Sequence, residues 1–211
     1  MLTTKRRNTT MVIFLILCIV LGIGFYFYRA QSNLTHYQVD IPTNDAVQNI
    51  KLASGGNDIN ISFVNTGTST IKLDAYVTPA FIKQDEIIQK QADALNLNFN
   101  NSQGHRLFNA KKARHTVNLA IPITATTKLK TVILNSNGGN VHLSNISQPH
   151  TVIVNSNGGD VYLTSQDALA LNLNIVTDGG KNAFADNGRG NVNNGGKLII
   201  NTHGGDVIRS K

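Results

Sequence analysis

The chain of 211 residues has no tryptophan, few aromatic residues of any kind, and one cysteine, Cys18. A lone cysteine excludes an internal disulfide framework, so a folded domain here must rest on packing and backbone pairing. Beyond the N-terminal Lys5-Arg6-Arg7, no run of basic residues exceeds the pair Lys111-Lys112 with Arg114 nearby, which argues against a dedicated nucleic-acid binder, and no specific nucleic acid is expected. His36, His105, His115, His142, His150 and His203 show no ligand spacing such as HxxxH. No serine lies in G-x-S-x-G, and no phosphate loop appears. No catalytic, cofactor-binding or metal-binding residue is therefore assigned, and the ligand-binding residues stay unknown.

What is present is a repeat. The block TVILNSNGGNVHL, Thr131 to Leu143, returns after twenty residues as TVIVNSNGGDVYL, Thr151 to Leu163, with ten positions identical. Looser copies end at Gly179-Gly180 and run from Leu198 to Ile208, and an earlier echo spans Ile50 to Ile61. Each copy reads as strand, Gly-Gly corner, strand. In the two best copies Val132 and Leu134 share a face, as do Val141 and Leu143 after the corner. Units this short cannot bury their apolar faces alone and stack on one another. Abundant Asn, Thr, Ser and Gly with short alternating apolar runs predict an all-β fold. The constant spacing favours a β-solenoid or roll of about 20-residue Gly-Gly-cornered repeats. The Asn-Gly dipeptides at Asn137 and Asn157 leave a stack of type I′ hairpins as the alternative.

The second strong feature is Met11 to Tyr28, eighteen residues without a charge. At 1.5 Å per residue a helix there would be about 27 Å long, close to the roughly 30 Å hydrocarbon core of a bilayer. Lys5, Arg6 and Arg7 precede it and Arg29 follows, which orients an N-terminus in the cytoplasm. A cleaved signal peptide would need a small residue where Tyr28 stands, and a lipoprotein reading of Cys18 would need one at Leu17. The expected organisation is a cytoplasmic N-terminus (1–10), a transmembrane helix (11–28), a stalk (29–36) and an extracytoplasmic β-repeat domain (37–211). The expected location is the cell membrane, single-pass. With the four flanking cations set aside, fifteen basic face twelve acidic side chains, so the domain is mildly basic at +3. That suits a solvated surface or weak attraction to anionic polymers.

Three stretches depart from the repeat. Ile82 to Leu95 has helical spacing and predicts one short helix, with a polar loop as the alternative. Leu95 to Asn100 and His105 to Phe108 predict a hairpin around residues 101–104. Lys181 to Gly196 is Gly- and Asn-rich and reads as an inserted loop.

The candidate chemistry is thin. Asp58, Asp160 and Asp206, with Asn140 at the matching place, follow the corners. They could serve calcium, but the nine-residue calcium repeat is missing, and such residues more often serve the backbone of a turn. Asp178, Asp186, Arg189 and Lys197 are the nearest approach to a glycan-cleaving set, without a fixed motif. The histidines read as surface substitutions.

The segments VNLAIP (Val117 to Pro122), LKTVILNSNGGNVHL, TVIVNSNGGDVYL and KLIINTHGGDVI resemble a bacterial β-strand-repeat family of envelope domains known as "putative adhesins". The resemblance covers roughly the C-terminal half, and Ile50 to Phe63 is similar to the family's opening repeat. It implies a β-solenoid-like envelope domain, in some members anchored by one helix and linked to envelope stress, and it brings no catalytic residues or cofactors. The expected function is non-enzymatic, adhesin-like binding or scaffolding at the bacterial envelope. The expected partners are the membrane through the N-terminal helix, and an anionic cell-wall polymer or another envelope protein. The alternatives are an accessory regulator of an envelope-stress response and a β-helix glycan-active enzyme.

Overall fold

The computed structural model describes residues 14–24, 35–43, 47–65, 67–77, 82, 87–100, 116–122, 128–146, 150–185 and 196–210. The strands are β1 (Thr35–Pro42), β2 (Asn49–Ala53), β3 (Asp58–Val64), β4 (Thr70–Val77), β5 (Ile88–Gln91), β6 (Ala94–Asn98) and β7 (Thr116–Pro122). They continue as β8 (Thr131–Asn137), β9 (Val141–Ser144), β10 (Thr151–Asn157), β11 (Val161–Thr164), β12 (Asn172–Asp178), β13 (Lys197–His203) and β14 (Val207–Ser210). Helix α1 (Ser165–Ala170) follows β11, capped by Thr164, whose hydroxyl accepts the Asp167 N–H.

Period-two alternation decides which way each strand faces. In β8, Val132, Leu134 and Ser136 are buried while Thr131, Ile133 and Asn135 are half-covered on the outside. The strands assemble into two seven-stranded sheets. The first has the order β1-β4-β7-β3-β9-β11-β14 and the second β12-β13-β10-β8-β2-β6-β5. Their inward side chains, among them Leu52, Ile61, Phe63, Leu97, Leu119, Leu134, Val154 and Ile200, form one apolar core. Each such side chain contributes about 1.5–3 kcal/mol relative to exposure.

The twenty-residue period translates directly into pairing. Thr131 to Asn137 lie parallel and in register against Thr151 to Asn157, which lie in register against Lys197 to His203. Each Gly-Gly corner carries the chain from the second sheet to the first, as from β8 to β9, so the corners are not hairpin turns. Gly158 has φ +93°, a region that favours glycine. Gly159 is required for a different reason: a Cβ there would lie 2.0 Å from the carbonyl oxygen of Gly139 in the neighbouring corner. The corners stack backbone on backbone. The buried hydroxyls of Ser156 and Thr202 close them by donating to the carbonyls of Gly159 (2.6 Å) and Gly205 (2.8 Å), and Ser136 does the same to Gly139.

The solenoid or roll expectation is corrected. A solenoid adds its turns in chain order, but β6 and β7 lie beyond β2 and β3, and β12 lies outside β13. β1, β4 and β5 pair antiparallel, giving mixed sheets. Together with the helices, the architecture among the described residues is a mixed α/β, two-sheet arrangement without solenoid closure. The period fixes register between like strands; it does not fix the order in which they are laid down.

The membrane-spanning helix and the single-pass location are also corrected. Residues 14–24 are helical, which at 1.5 Å per residue covers about 16 Å, roughly half a hydrocarbon core. Among the described residues no helix is long and apolar enough to cross a membrane. Residues 11–13 and 25–28 lie outside the described residues.

The helix expected at Ile82 to Leu95 gives way over its second half to an antiparallel hairpin of β5 and β6, turning at Ala92 with φ +40°. Ile87, Leu95 and Leu97 enter the core from it. Of the hairpin expected around residues 101–104, the first arm is β6, which pairs with β2 on one side and β5 on the other; residues 101–108 lie outside the described residues.

Candidate functional site

The acids after the corners form a ladder between units. Asp58 Oδ1 accepts the Asn140 N–H at 2.7 Å, and Asn140 Oδ1 accepts the Asp160 N–H at 3.1 Å. Asp160 Oδ1 accepts the Asp206 N–H at 2.9 Å, and Asp206 Oδ1 accepts the Lys181 N–H at 2.7 Å. Each side chain thus satisfies a backbone donor of the next unit. Among the described residues no three His, Cys, Asp or Glu side chains gather as a metal set.

The glycan-cleaving quartet is not assembled. Asp178 ends β12, while Lys197 opens β13 opposite Asn172, six residues from Asp178's level. At about 3.3 Å per residue that separation is roughly 20 Å. Asp186 and Arg189 lie outside the described residues.

The histidines part company. His36 Nε2 meets Asp74 Oδ2 at 2.7 Å and its ring stacks on Tyr76. His203 is exposed at the end of β13. His105 and His115 lie outside the described residues. His150 corrects the surface reading: it is 5% exposed, packs on Phe63 with ring centroids 4.5 Å apart, and among the described residues neither ring nitrogen has a hydrogen-bond partner. Burial pushes its pKa down to about 4.

What the fold does bring together are rows across the sheets' outer faces. On the first sheet one row runs Gln38, Asp74, Asn118, Asn60, His142, Tyr162, Ile208, one residue from each strand. Asn60 Nδ2 donates to Asn118 Oδ1 (2.9 Å) and Asn118 Nδ2 to Asp74 Oδ1 (3.3 Å). The rings of His142 and Tyr162 stack at 4.3 Å and 5°. Beside this pair an open groove of about 450 Å³ is lined by Asp58, Asn60, Ser62, Thr116, His142 and Ser144. Equivalence of positions 142 and 162 in the repeat signalled the stack; nothing signalled the rest of the row, because β4 and β7 lie outside the period.

On the second sheet the repeat places asparagines side by side. Asn201 Nδ2 donates to Asn155 Oδ1, and Asn155 Nδ2 to Asn135 Oδ1, both at 3.0 Å. One pleat further, Asn157 Nδ2 donates to Asn137 Oδ1 at 3.3 Å. Ile133, Ile153 and Ile199 form the adjacent half-covered row.

No protein-family model matches the chain. No curated protein matches it either. Among solved structures it is similar to a "putative cell adhesion protein" from Clostridium sporogenes, at 14% identity and TM-score 0.46, over 83% of this chain and 98% of that one. It is similar to a "putative adhesin" from Bacteroides fragilis, at 14% identity and TM-score 0.39, over 83% and 96%. A "putative lipid binding protein" from Parabacteroides distasonis is similar at 10% identity and TM-score 0.39, over 82% and 68%. These are loose likenesses, and no family membership follows from them.

Proposed function

We propose that the chain is a non-enzymatic, adhesin-like binding protein whose outer sheet faces hold an extended, hydroxyl-rich polymer such as a cell-wall glycan. The observation that carries this reading is the in-register row centred on His142 and Tyr162. Strands about 4.8 Å apart repeat amide, carboxylate and ring groups at a fixed interval, and a linear polymer meets such a row with many weak contacts. A stacked ring pair offers a rigid flat wall at small entropic cost. Asn60 and the half-covered Asp58 supply donor and acceptor atoms beside it. The separation of Asp178 from Lys197 favours holding over cleaving.

The test is co-sedimentation of the full-length protein with deproteinated cell walls, for the natural chain and for His142→Ala/Tyr162→Ala. Retention on walls, weakened several-fold in the double variant at unchanged thermal midpoint, is expected. Retention that is absent, or equal in both proteins, overturns the proposal.

A further inference from the structure

We infer that the gap at Ala53 on the outer face of the second sheet is a subsite for an oxyanion, a carboxylate or phosphate group carried by the polymer. The inference rests on the polymer-binding reading above and names the chemistry of a site on the opposite sheet.

The register defines the gap. Along one row of the second sheet stand Asn201, Asn155, Asn135, Ala53 and Asn98, each opposite the next. The amide ladder passes from Asn201 through Asn155 to Asn135 and stops, because Ala53 has no amide to continue it. At this gap lies an open groove of about 440 Å³, with Asn135 and Asn137 on one wall, Asn98 on the other, and Lys51 on the same face of β2 as Ala53. Lys51 lies two residues away along the strand, about 6.6 Å.

Every engaged amide in this groove is engaged through its oxygen. Asn135 Oδ1 takes the Asn155 amide, Asn137 Oδ1 takes the Asn157 amide, and Asn98 Oδ1 takes the backbone N–H of Asn100 at 3.1 Å. Each therefore turns its NH₂ group away from its partner, and an NH₂ group only donates. Lys51 adds an ammonium with three more donors, and among the described residues no carboxylate lines the groove. The amides of Asn98, Asn135 and Asn137 with Lys51 thus present donors and one positive charge, matched by a group made of acceptors and negative charge, while the amides of Gln89, Asn96 and Asn100 along the same groove can turn either atom toward it. A neutral sugar's hydroxyl oxygens could accept from the same donors but would leave the Lys51 charge without a counter-charge. The groove beside His142 differs, since Asp58 stands on its rim and repels an oxyanion.

The experiment is calorimetric titration of the full-length chain with three probes: oligogalacturonate for carboxylate, oligomeric glycerol phosphate for phosphate, and neutral dextran oligomers as reference. Binding of either anionic probe, weakening as salt is raised, is expected. Binding of one alone identifies the source of the oxyanion, and binding of both identifies a common site. Lys51→Gln is expected to lower that affinity about tenfold or more, as loss of a charged hydrogen bond does. Ala53→Asn, which completes the amide row with a residue its neighbours already use, is expected to abolish binding without lowering the thermal midpoint.

The inference is overturned if neither anionic probe binds, or if both variants bind as the natural chain does. Retention on walls without binding of either anionic probe sinks this inference alone. Binding of the anionic probes without retention on walls supports it and sinks the polymer-platform reading.

Discussion

Asp58 and Asn140 are 82 residues apart in the chain, yet the carboxylate of the first holds the backbone N–H of the second at 2.7 Å. That contact is the first rung of a ladder in which a side chain of one unit completes the hydrogen bonding of the next. Its rungs differ in charge but share an oxygen acceptor.

The chemistry of that acceptor sets a clear expectation at Asp160, whose Oδ1 accepts the Asp206 N–H. Asp160→Ala leaves a half-buried donor without a partner and should cost about 1–3 kcal/mol. Asp160→Asn keeps the oxygen, as Asn140 already does in the same ladder, and should stay close to the natural chain. Urea unfolding of both variants checks the contrast, and equal losses would disprove the ladder's role.

The two glycines of one corner should respond unequally to alanine. At Gly158 no neighbouring atom crowds an added Cβ, so Gly158→Ala meets only its φ of +93°, a strain of about 1–2 kcal/mol. At Gly159 the Cβ collides with the backbone of Gly139, which cannot yield without separating two units. Gly159→Ala should therefore cost roughly 4 kcal/mol or more, or prevent folding. Thermal midpoints of the two variants give the comparison.

Acid should destabilise the fold through His150. Its folded pKa of about 4 lies below the 6.5 of the unfolded chain, so the unfolded state binds the proton first as pH falls. Stability is untouched by this group above about pH 6.5, declines between 6.5 and 4, and is lower by on the order of 3 kcal/mol beneath that window. His150→Leu should flatten that part of the profile. Urea midpoints of both proteins between pH 7 and 4 measure the difference, and parallel curves would refute the assignment.

Asp167 tests how α1 is tied to the sheets. Its buried carboxylate accepts the backbone N–H groups of Asn145 (3.2 Å) and Ile146 (2.9 Å) and the hydroxyl of Thr164 (2.6 Å). Asp167→Ala strands these donors and should cost about 2–3 kcal/mol. Hydrogen exchange at Asn145 and Ile146 should accelerate with it, and unchanged protection there would contradict the contact.

The repeat was legible because Val132, Leu134, Val141 and Leu143 carry the period themselves, and all four lie in the core. The stacking of Gly159 on Gly139 was implicit in the same period. The hairpin of β5 and β6 was not legible: its turn at Ala92-Asp93 uses neither glycine nor asparagine, and Ile87, Ile88 and Leu95 fit a helical spacing as well as a strand. The exchange of β12 and β13 was hidden because NLNIVT (172–177) and KLIINT (197–202) carry the same alternation, so either could lie against β10. His150 follows no pattern that foretells burial. The candidate sites depended on partners from outside the period, Asn118 and Asp74 on one sheet and Asn98 on the other. A reading of repeats alone could not place them.

The placement of β2 and β3 between units drawn from later in the chain also bears on how the structure is reached. Joining residues twenty apart, as Asn135 and Asn155 are, closes a far shorter loop than joining Asp58 to Asn140. The entropic difference is about 1.2 kcal/mol in favour of the shorter closure. The stretch from Thr131 to Thr164 is therefore the natural nucleus, onto which an earlier and a later segment condense from opposite sides. A chain emerging from the ribosome holds β2 and β3 without their neighbour on that side until β8 and β9 have been made, and their unpaired edges are its period of greatest exposure to misassembly.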